Sequence, residues 1–471
     1  MRERLPKPGS GRRFTIGVRQ LLLVVVLVAV VLAYGVNRVN RRTGAIAAVQ
    51  AAGGQVLTGS VVVSTRGTPG FWGRVAAWFA RRVESVTPPS VAGADFSSAT
   101  DLRDDQLAPL AGLGRIDQLS LRGTPVGDAG LVHLRPLADL RTLDLSNTNV
   151  TDAGLAELAR LPSLQDLDLS ETKVTDAGLA RLAGLRQLRR LILNRTAVTD
   201  AGLAHLAGMA QLQTLDLSHT RVTGSGFRHL ARVPLLADLD LSSTPVDDAE
   251  LGHLAGHVRL VALNLADTKV GDAGLDRLDR LAALNTLNLA RTKVGKDGLA
   301  PVQKFTALAT LDLQGTAVDD AALASLTGLG RLADLDLDGT NVGDAGLAHL
   351  KGLTKLTSLR LNGTRVGDAG VAHLGGLTAL TTLTLRRTRV GDDGVSVIAK
   401  LPALTTLDLH GAQVGTASLT PLSGIPGLTF LDVVGTRVDP DAARGLKEVR
   451  PALNLFYSFK RPQAAGAGTG R

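Results

Sequence analysis

A repeated unit of 24 residues constrains this chain more than any other feature of its sequence. Threonine recurs at every twenty-fourth position from Thr124 to Thr388 and returns at Thr436, with Ala412 as the interruption. A valine stands two places after each of these positions. Self-similarity at a fixed period indicates an array of identical supersecondary units. Because no insertion disturbs the register between Thr124 and Thr436, no separate catalytic domain lies inside the array.

Within one unit, the spacing of apolar residues changes from that of a strand to that of a helix. Leu143 and Leu145 alternate with polar residues, which predicts a strand with one buried face. After Thr151 and Asp152, leucines recur every three residues over 155–161, which favours a helix. The Thr and Asp side chains are expected to accept hydrogen bonds from the amides of the first helical turn. Each unit is thus predicted to be a strand, a turn and a helix that bury their apolar sides by stacking.

These residues resemble the leucine-rich repeat family, whose general pattern is L-x-x-L-x-L-x-x-N/C-x-L. The unit is more closely similar to variants with a T/I-x-D-x-G-L-x-x-L helix segment, including those of membrane-anchored bacterial proteins. The resemblance covers residues 101–459 and implies an α/β solenoid, with a parallel sheet on the concave face and short helices on the convex face. Thr replaces the usual Asn or Cys of the turn, and its hydroxyl is expected to satisfy similar backbone groups. The resemblance implies the fold more directly than the function, because fold and function separate easily.

An array of stacked units needs sealed ends, and the sequence departs from the repeat at both ends. Asp95-Phe96-Ser97 replaces the strand of a degenerate first unit. A last strand closed by aromatic residues is expected at Leu453, Leu455, Phe456, Tyr457 and Phe459. The predicted division of the chain is a basic tail at 1–13, a transmembrane helix at 14–36, a linker and N-terminal cap at 37–90, the repeat domain at 91–459, and a disordered tail at 460–471.

Residues 21–36 form an uncharged apolar run, which reaches 23 residues when it is extended back to Phe14. A membrane-spanning helix needs about 20 apolar residues, so Arg19 would have to reach the lipid head groups. A cleaved signal peptide, followed by secretion, is the alternative, but no convincing small-x-small site follows the run. Six basic residues before the run outnumber the three after it, which predicts a cytoplasmic N-terminus and extracytoplasmic repeats.

Residues 71–82 contain both tryptophans of the chain and fit an amphipathic helix. A cap on the first repeats is the favoured interpretation, because an array requires one. A helix lying in the membrane interface, with its arginines at the head groups, is the alternative.

The positive charge of the chain belongs to its N-terminal segment and not to the repeats. Residues 1–42 carry a net charge of +8, whereas residues 101–459 hold 36 Lys and Arg against 40 Asp and Glu. A repeat domain with a net charge of −4 and few aromatic residues is a poor nucleic-acid partner. The chain has no cysteine, which excludes disulfides and thiolate metal sites. No cofactor is predicted.

One strand position between the paired leucines is expected to face the concave surface, and it is often aspartate. The aspartates are Asp144, Asp168, Asp216, Asp240, Asp312, Asp336, Asp408 and Asp432, and we call them the Asp strip. Their like charges should repel unless they are satisfied by neighbouring groups such as Ser146, Ser170, Thr142 or Thr214. A basic partner or a calcium ion bound to the strip are the other interpretations.

Departures from the repeated pattern are the candidate ligand contacts on an otherwise uniform surface. The first break contains Arg190, Ile192 and Arg195. The second contains Arg360, Arg386 and Arg387, with His410 and Phe430 further along. Arginine and aromatic side chains often anchor protein interfaces, which favours these positions as a group, although random drift is the better explanation for any single one of them.

The sequence shows no enzyme signature. It has no phosphate-binding glycine loop and no nucleophile elbow. His253 and His257 have the spacing of a zinc pair, but the glutamate of the motif and a third ligand are missing, so His257 is interpreted as a substituted core or edge position. The chain is therefore predicted to be a non-enzymatic binding scaffold for a protein or envelope component. A structural spacer without a ligand is the alternative.

Overall fold

A computed structural model describes residues 18–58 and 91–458, and these residues contain a 17-stranded sheet. The strands, β1 to β17 in chain order, are Gln55–Thr58, Val91–Asp95, Gln118–Ser120, Thr142–Asp144, Asp166–Asp168, Arg190–Ile192, Thr214–Asp216, Asp238–Asp240, Ala262–Asn264, Thr286–Asn288, Thr310–Asp312, Asp334–Asp336, Ser358–Arg360, Thr382–Thr384, Thr406–Asp408, Phe430–Asp432 and Asn454–Phe456.

One long helix precedes β1, and short helices follow the strands of the array. The α-helices, α1 to α12, are Val18–Ala51, Asp128–Leu131, Leu155–Leu158, Asp176–Leu182, Asp200–Leu203, Phe227–Leu230, Asp272–Asp276, Asp344–Leu347, Asp368–Val371, Asp392–Ile398, Leu419–Ser423 and Pro440–Val449. The 3₁₀ helices are Asp104–Gly112, Val132–Leu134, Ala204–Gly208, Leu251–Leu254, Ala300–Lys304, Ala322–Leu326, Ala348–Leu350, Ala372–Gly376 and Thr416–Ser418.

The strands of the array are parallel, and each pairs with the strand one unit later. Leu143 pairs with Leu167, and Leu167 pairs with Leu191, so the register advances by one unit at every step. From β3 to β16 the central leucine of each strand is buried, and the residues on both sides of it face outwards. The predicted α/β solenoid with a parallel sheet is confirmed.

The repeated threonine is a buried part of the turn and not a surface residue. Thr148 is 6% exposed, and its Oγ1 donates a hydrogen bond of 2.6 Å to the carbonyl oxygen of Leu145. Thr172 makes the same bond to Leu169 in the next unit. The hydroxyl therefore satisfies a backbone acceptor inside the turn, as the sequence predicted.

The aspartate at the start of each helix has a different role from the one expected. Thr175 caps its own helix, because its Oγ1 accepts from the amide of Ala177. Asp152 instead accepts from the next unit, through the amide of Thr175 at 2.8 Å and its hydroxyl at 2.6 Å. The expectation that both side chains serve the first helical turn was wrong for aspartate, which ties neighbouring repeats together.

The residue before each repeated threonine adopts a left-handed backbone conformation. Glycine holds this position in several units, for example Gly339 with φ +67° and Gly363 with φ +69°. Among the described residues, the non-glycine residues with positive φ are Asn147, Glu171, Arg195, His219, Ser243, Asp267, Arg291 and Arg387. These side chains project from the turn after the strand, at the edge of the sheet.

The N-terminal end of the array is covered by the end of α1 and by β1. Ala45 and Val49 are buried, and β1 pairs antiparallel with β2. In β2 and the residue that follows it, Ala94 and Phe96 replace the two leucines of the usual strand, and both are buried. Within residues 18–58 and 91–458, no helix combines the length and the apolar character needed to cross a membrane. The predicted tail at 1–13 and helix at 71–82 lie outside the described residues.

At the C-terminal end, β17 is the last described strand. Leu453 is buried beneath it, whereas Phe456 is 44% exposed. Helix α12, capped by the side chain of Asp439, follows β16. Phe459, which was predicted to help close the core, and the tail at 460–471 lie outside the described part of the chain.

Candidate ligand-binding surface

The outward residues of the strands form the concave surface on which the Asp strip lies. Sheet register places the eight aspartates as four adjacent pairs. These pairs are Asp144 with Asp168, Asp216 with Asp240, Asp312 with Asp336, and Asp408 with Asp432. Between the pairs stand Ile192, then Asn264 and Asn288, then Arg360 and Thr384. The strip is thus a set of separated carboxylate pairs rather than one continuous acidic line.

Each aspartate of the strip is bound within its own turn. Asp144 Oδ1 accepts from the backbone amide of Ser146 at 2.9 Å and from its hydroxyl at 2.6 Å. Ser170, Ser218 and Ser242 make the same two bonds to Asp168, Asp216 and Asp240. Within their own turns, the remaining four aspartates accept only the backbone amide two residues later. Ser146 and Ser170 were predicted as partners, but Thr142 donates to Asp166 instead.

Asparagine can replace aspartate in this turn without loss of the hydrogen bond. Asn264 Oδ1 accepts from the amide of Ala266 at 3.1 Å, and Asn288 Oδ1 accepts from Ala290 at 2.9 Å. A neutral side chain therefore performs the structural role of the strip residue. This interchange favours a structural explanation for the repeated aspartate, because the turn requires an acceptor and not a charge.

Burial makes several carboxyls of the strip easier to protonate. It raises the pKa of Asp216, Asp312 and Asp408, and hydrogen bonds from the amide two residues later oppose it. For Asp336, burial raises the pKa to about 6, with the charges of Asp338 and Asp312 acting in the same direction. The strip thus carries less negative charge near pH 6 than its composition suggests.

The first break does not form one surface. Arg190 is exposed on β6, between Asp166 and Thr214. Ile192 is only 6% exposed and offers little area to a ligand. Arg195 lies in the following turn, where its Nε is 4.0 Å from Oε1 of Glu171. Sequence reasoning grouped these three residues, but the structure separates them by burial and by position.

The second break brings several polar side chains together, on β13 and in the turn that follows β14. Arg360 Nη1 lies 3.2 Å from Asp334 Oδ1 and 3.4 Å from Asp336 Oδ2. Arg386 Nε lies 3.4 Å from Oδ2 of Asp408. Both guanidinium groups remain partly exposed, with side-chain exposures of 39% and 48%. These arginines therefore combine a fixed orientation with free hydrogen-bonding capacity.

His410 and two phenylalanines continue this surface towards the end of the array. His410 Nδ1 lies 3.8 Å from Oδ2 of Asp432. Phe430 and Phe456 have ring centroids 5.4 Å apart and are tilted by 41°. Phe456 was expected to close the core, but its 44% exposure makes it part of the surface. The remaining predicted contact, Arg387, lies in the turn at the edge of the sheet and not on a strand.

Two hydroxyls next to Arg360 are a feature that sequence reasoning missed. Ser358 Oγ and Thr384 Oγ1 are buried atoms without a hydrogen-bond partner in the described part of the chain. Thr384 pairs in register with Arg360 on the neighbouring strand. Thr384 departs from the Asp strip and could have been noticed in the sequence, but the lack of a hydrogen-bond partner for either hydroxyl leaves no sequence signal.

The histidine pair does not form a metal site. His253 Nε2 faces Glu250 Oε2 at 3.3 Å. His257 is 5% exposed in a leucine position, and its Nε2 has no partner among the described residues. Burial lowers the pKa of His257. Within the described ranges, no group of three or more His, Asp or Glu side chains is arranged to hold a metal ion.

Comparison with known proteins identifies the repeat and the fold. A family model described as "Leucine Rich repeat" matches residues 138–159, 160–183, 352–375 and 376–399. The structure is similar to an internalin (inlF) of Listeria monocytogenes, with 23% identity over 79% of this chain and 98% of that chain and a TM-score of 0.57. A leucine-rich repeat protein of Leptospira interrogans has 17% identity over 78% of this chain and 94% of that one, with a TM-score of 0.52. No curated protein matches this chain. At these identities, the structural likenesses support the fold alone.

Proposed function

We propose that this chain, which is a leucine-rich repeat protein, is a non-enzymatic scaffold that binds a protein or an envelope component on its concave face. The observation that carries the proposal is the second break. Arg360, Arg386, His410 and the Phe430–Phe456 pair concentrate there, whereas the outward strand positions elsewhere are mostly Asp, Asn, Ser and Thr. Oriented arginines and a partly exposed pair of aromatic rings have the composition of interface anchors.

The ion pairs of Arg360 and Arg386 also support a binding role. Both arginines are held by carboxylates that belong to the scaffold, so little side-chain freedom is lost when a ligand contacts their free N–H groups. The two unpartnered hydroxyls of Ser358 and Thr384 lie beside Arg360. The alternative function is a spacer or lateral packing element, for which the identity of these side chains would not matter.

The scaffold is proposed to be attached to a membrane through residues 14–36, with a cytoplasmic N-terminus and extracytoplasmic repeats. The support comes from the sequence, namely the uncharged run 21–36 and the excess of basic residues before it. Secretion after signal-peptide cleavage is the alternative. The proposed chain then consists of a tail at 1–13, a linker and cap at 37–90, the repeats at 91–459 and a tail at 460–471.

Charge reversal on the concave face tests the binding role. We expect the double substitution Arg360→Asp and Arg386→Asp to remove the partner, measured by quantitative mass spectrometry of proteins crosslinked to the full-length chain in cells. The matched control is Arg232→Asp with Arg280→Asp, two exposed arginines away from the sheet with the same change in charge. A partner set that is the same for all three proteins would favour the spacer.

Protease accessibility in intact cells tests the topology. Digestion of the repeats after permeabilisation of the outer barrier alone would support an extracytoplasmic location. Protection until the inner membrane is lysed would contradict it, and the partner would then be sought in the cytosol.

A further inference from the structure

A row of exposed arginines follows the edge of the solenoid, in the turns after β13, β14 and β16. Arg365, Arg389 and Arg437 occupy the same position of the repeat, and Arg387 lies two residues before Arg389. All four are exposed. Backbone bridges from Gly367 to Arg389 and from Gly415 to Arg437 hold two of these turns in the register of the array. We call these four residues the arginine rim.

The repeat itself supplies a comparison for Arg387. Arg195 and Arg291 hold the same left-handed position, with φ of 55° each against 54° for Arg387. Each of the two is paired with an acid at the equivalent position one unit earlier. The distance is 4.0 Å for Arg195 Nε to Glu171 Oε1, and Arg291 makes two hydrogen bonds of 2.6 Å to Asp267.

Arg387 lacks this neutralising partner. The equivalent residue one unit earlier is Gly363, and the one that follows is Gly411. Neither has a carboxylate. Among the described residues, Arg387 and Arg389 form no ion pair within 4.0 Å, and Arg365 donates only to the neutral Oδ1 of Asn341 at 3.1 Å. The guanidinium groups of Arg387 and Arg389 are thus available to pair with an anionic ligand.

The aspartates that start the nearby helices form no ion pair with the rim within 4.0 Å among the described residues, and their carboxylates accept hydrogen bonds from the backbone. Asp344, Asp368 and Asp392 each accept a hydrogen bond of 2.7 to 2.8 Å from a glycine amide of the next unit. On the other side, Asp408 is paired with Arg386. The rim therefore lies between two lines of carboxylates that already have partners, whereas Arg387 and Arg389 form no ion pair within 4.0 Å in the described part of the chain.

We propose that the arginine rim binds an acidic segment of a protein partner. Arg365 and Arg389 stand in adjacent units, about 4.8 Å apart along the sheet, so successive carboxylates of an extended chain can reach successive guanidinium groups. Arginine binds carboxylates in a bidentate manner, which gives such a row both affinity and direction.

A protein segment fits this surface better than a nucleic acid does. A continuous phosphate backbone would also face Asp408 and Asp432 on the adjoining concave sheet, with a repulsive interaction. A peptide can place carboxylates on the rim and uncharged or basic residues opposite the Asp strip. This inference goes beyond the concave-face binding proposed above, since the rim lies outside the strands and either surface can act without the other.

The test is binding of a fluorescein-labelled deca-glutamate peptide to the full-length chain in neutral detergent, followed by fluorescence anisotropy at low salt. The test variant is Arg387→Glu with Arg389→Glu. Glutamate is compatible with the left-handed position, because Glu171 occupies it with φ 58°. The matched control is Arg291→Glu with Lys293→Glu, the same two positions four units earlier and the same change in net charge.

We expect the test variant to weaken peptide binding by at least about tenfold, and the control to weaken it by less than about twofold. Equal weakening by both variants would mean that only net charge matters, and it would overturn the proposal. Absence of peptide binding to the wild type would also overturn it. A third decisive result would be tighter binding of labelled oligothymidylate than of peptide, with loss in the test variant, since the rim would then be a nucleic-acid surface.

Discussion

Asp176 accepts two hydrogen bonds from Thr199 of the following repeat, at 2.8 Å from the backbone amide to Oδ1 and at 2.6 Å from the hydroxyl to Oδ2. The same connection recurs along the array, with glycine amides as donors where threonine is absent, as for Asp272 and Gly295 at 2.6 Å. Lateral cohesion of the solenoid thus depends on side chains as well as on the sheet and the leucine core.

Substitution of Asp176 by alanine should destabilise the array. The change leaves the amide and hydroxyl of Thr199 without their charged acceptor, which costs about 2–3 kcal/mol in the free energy of unfolding. Urea denaturation followed by circular dichroism measures the loss, and hydrogen exchange at the Thr199 amide shows whether it is local. Asp276→Ala, at an exposed position at the end of a helix, is the control and should change stability little. Equal losses in the two variants would contradict the assigned role.

Replacement of a glycine in the left-handed turn position by a residue with a β-carbon should lower the stability of the protein. Gly339 has φ +67°, and the nearest atom to an added β-carbon would be 3.8 Å away, so the cost is conformational and not steric. Gly339→Ala is expected to lower stability by about 1 kcal/mol. Gly328→Ala, where the space is open and φ is not positive, should be neutral or slightly stabilising. Thermal melting of both variants distinguishes these effects.

His257→Leu should stabilise the protein, because it restores leucine to a core position. The imidazole is 5% exposed and its Nε2 has no partner among the described residues. Removal of this unsatisfied polar atom is expected to raise the free energy of unfolding by about 1–3 kcal/mol, measured by urea denaturation at pH 7. A variant that is less stable than the wild type would show that the histidine makes a favourable contact.

The same substitution should change the pH dependence of stability. Burial lowers the pKa of His257 in the folded state below its ordinary value of 6.5. The unfolded chain therefore binds a proton first as the pH falls through 6.5, so wild-type stability decreases below that pH. The advantage of His257→Leu should grow between about pH 7 and pH 5. A constant difference over that range would contradict the burial argument.

Asp336→Asn should stabilise the protein at neutral pH. The folded-state pKa of Asp336 is raised from 3.8 to about 6 by burial, so ionisation above pH 6 costs folding free energy. Asparagine removes the charge and keeps the acceptor for the amide of residue 338, as Asn264 does in its own turn. We expect a gain of about 1–2 kcal/mol at pH 7.

The gain from Asp336→Asn should shrink as the wild-type carboxyl takes up its proton. It should decline below about pH 6 and be lost near pH 3.8, where the unfolded chain is also protonated. Denaturation curves at several pH values measure this trend. If the gain in the free energy of unfolding stayed the same at low pH, the effect would come from packing and not from the ionisation of Asp336.

Periodicity predicted the array and the strand positions, because both depend on local spacing that recurs along the chain, and the family resemblance predicted the role of the threonine in the turn. It assigned Asp152 to its own helix, because a hydrogen bond to a residue 23 positions later leaves no local trace in the sequence. Only the stacking of neighbouring units brings Asp152 to Thr175. The aspartate accepts hydrogen bonds as predicted, but its donor lies in the next unit and not in its own helix.

The sequence predicted which residues belong to the candidate surface, but it did not predict how they are arranged. Departures from the repeat identified Arg360 and Arg386, whose ion pairs with aspartates one or more units away follow from the register. The burial of Ile192 and the placement of Arg387 on the edge follow from the exact path of the turn. That path depends on the left-handed residue before each threonine, which no residue type marks consistently.

The unbroken 24-residue register has a consequence for the length of the molecule. Most units present to their neighbours the same leucine face, threonine turn and aspartate connection, so removal of one whole unit such as residues 265–288 joins two surfaces that already match. The separation between the N-terminal cap and the arginine rim can therefore change in steps of about 4.8 Å without alteration of either end. The length of the solenoid can therefore change in whole repeats, by gain or loss of units, while its ends keep the same structure.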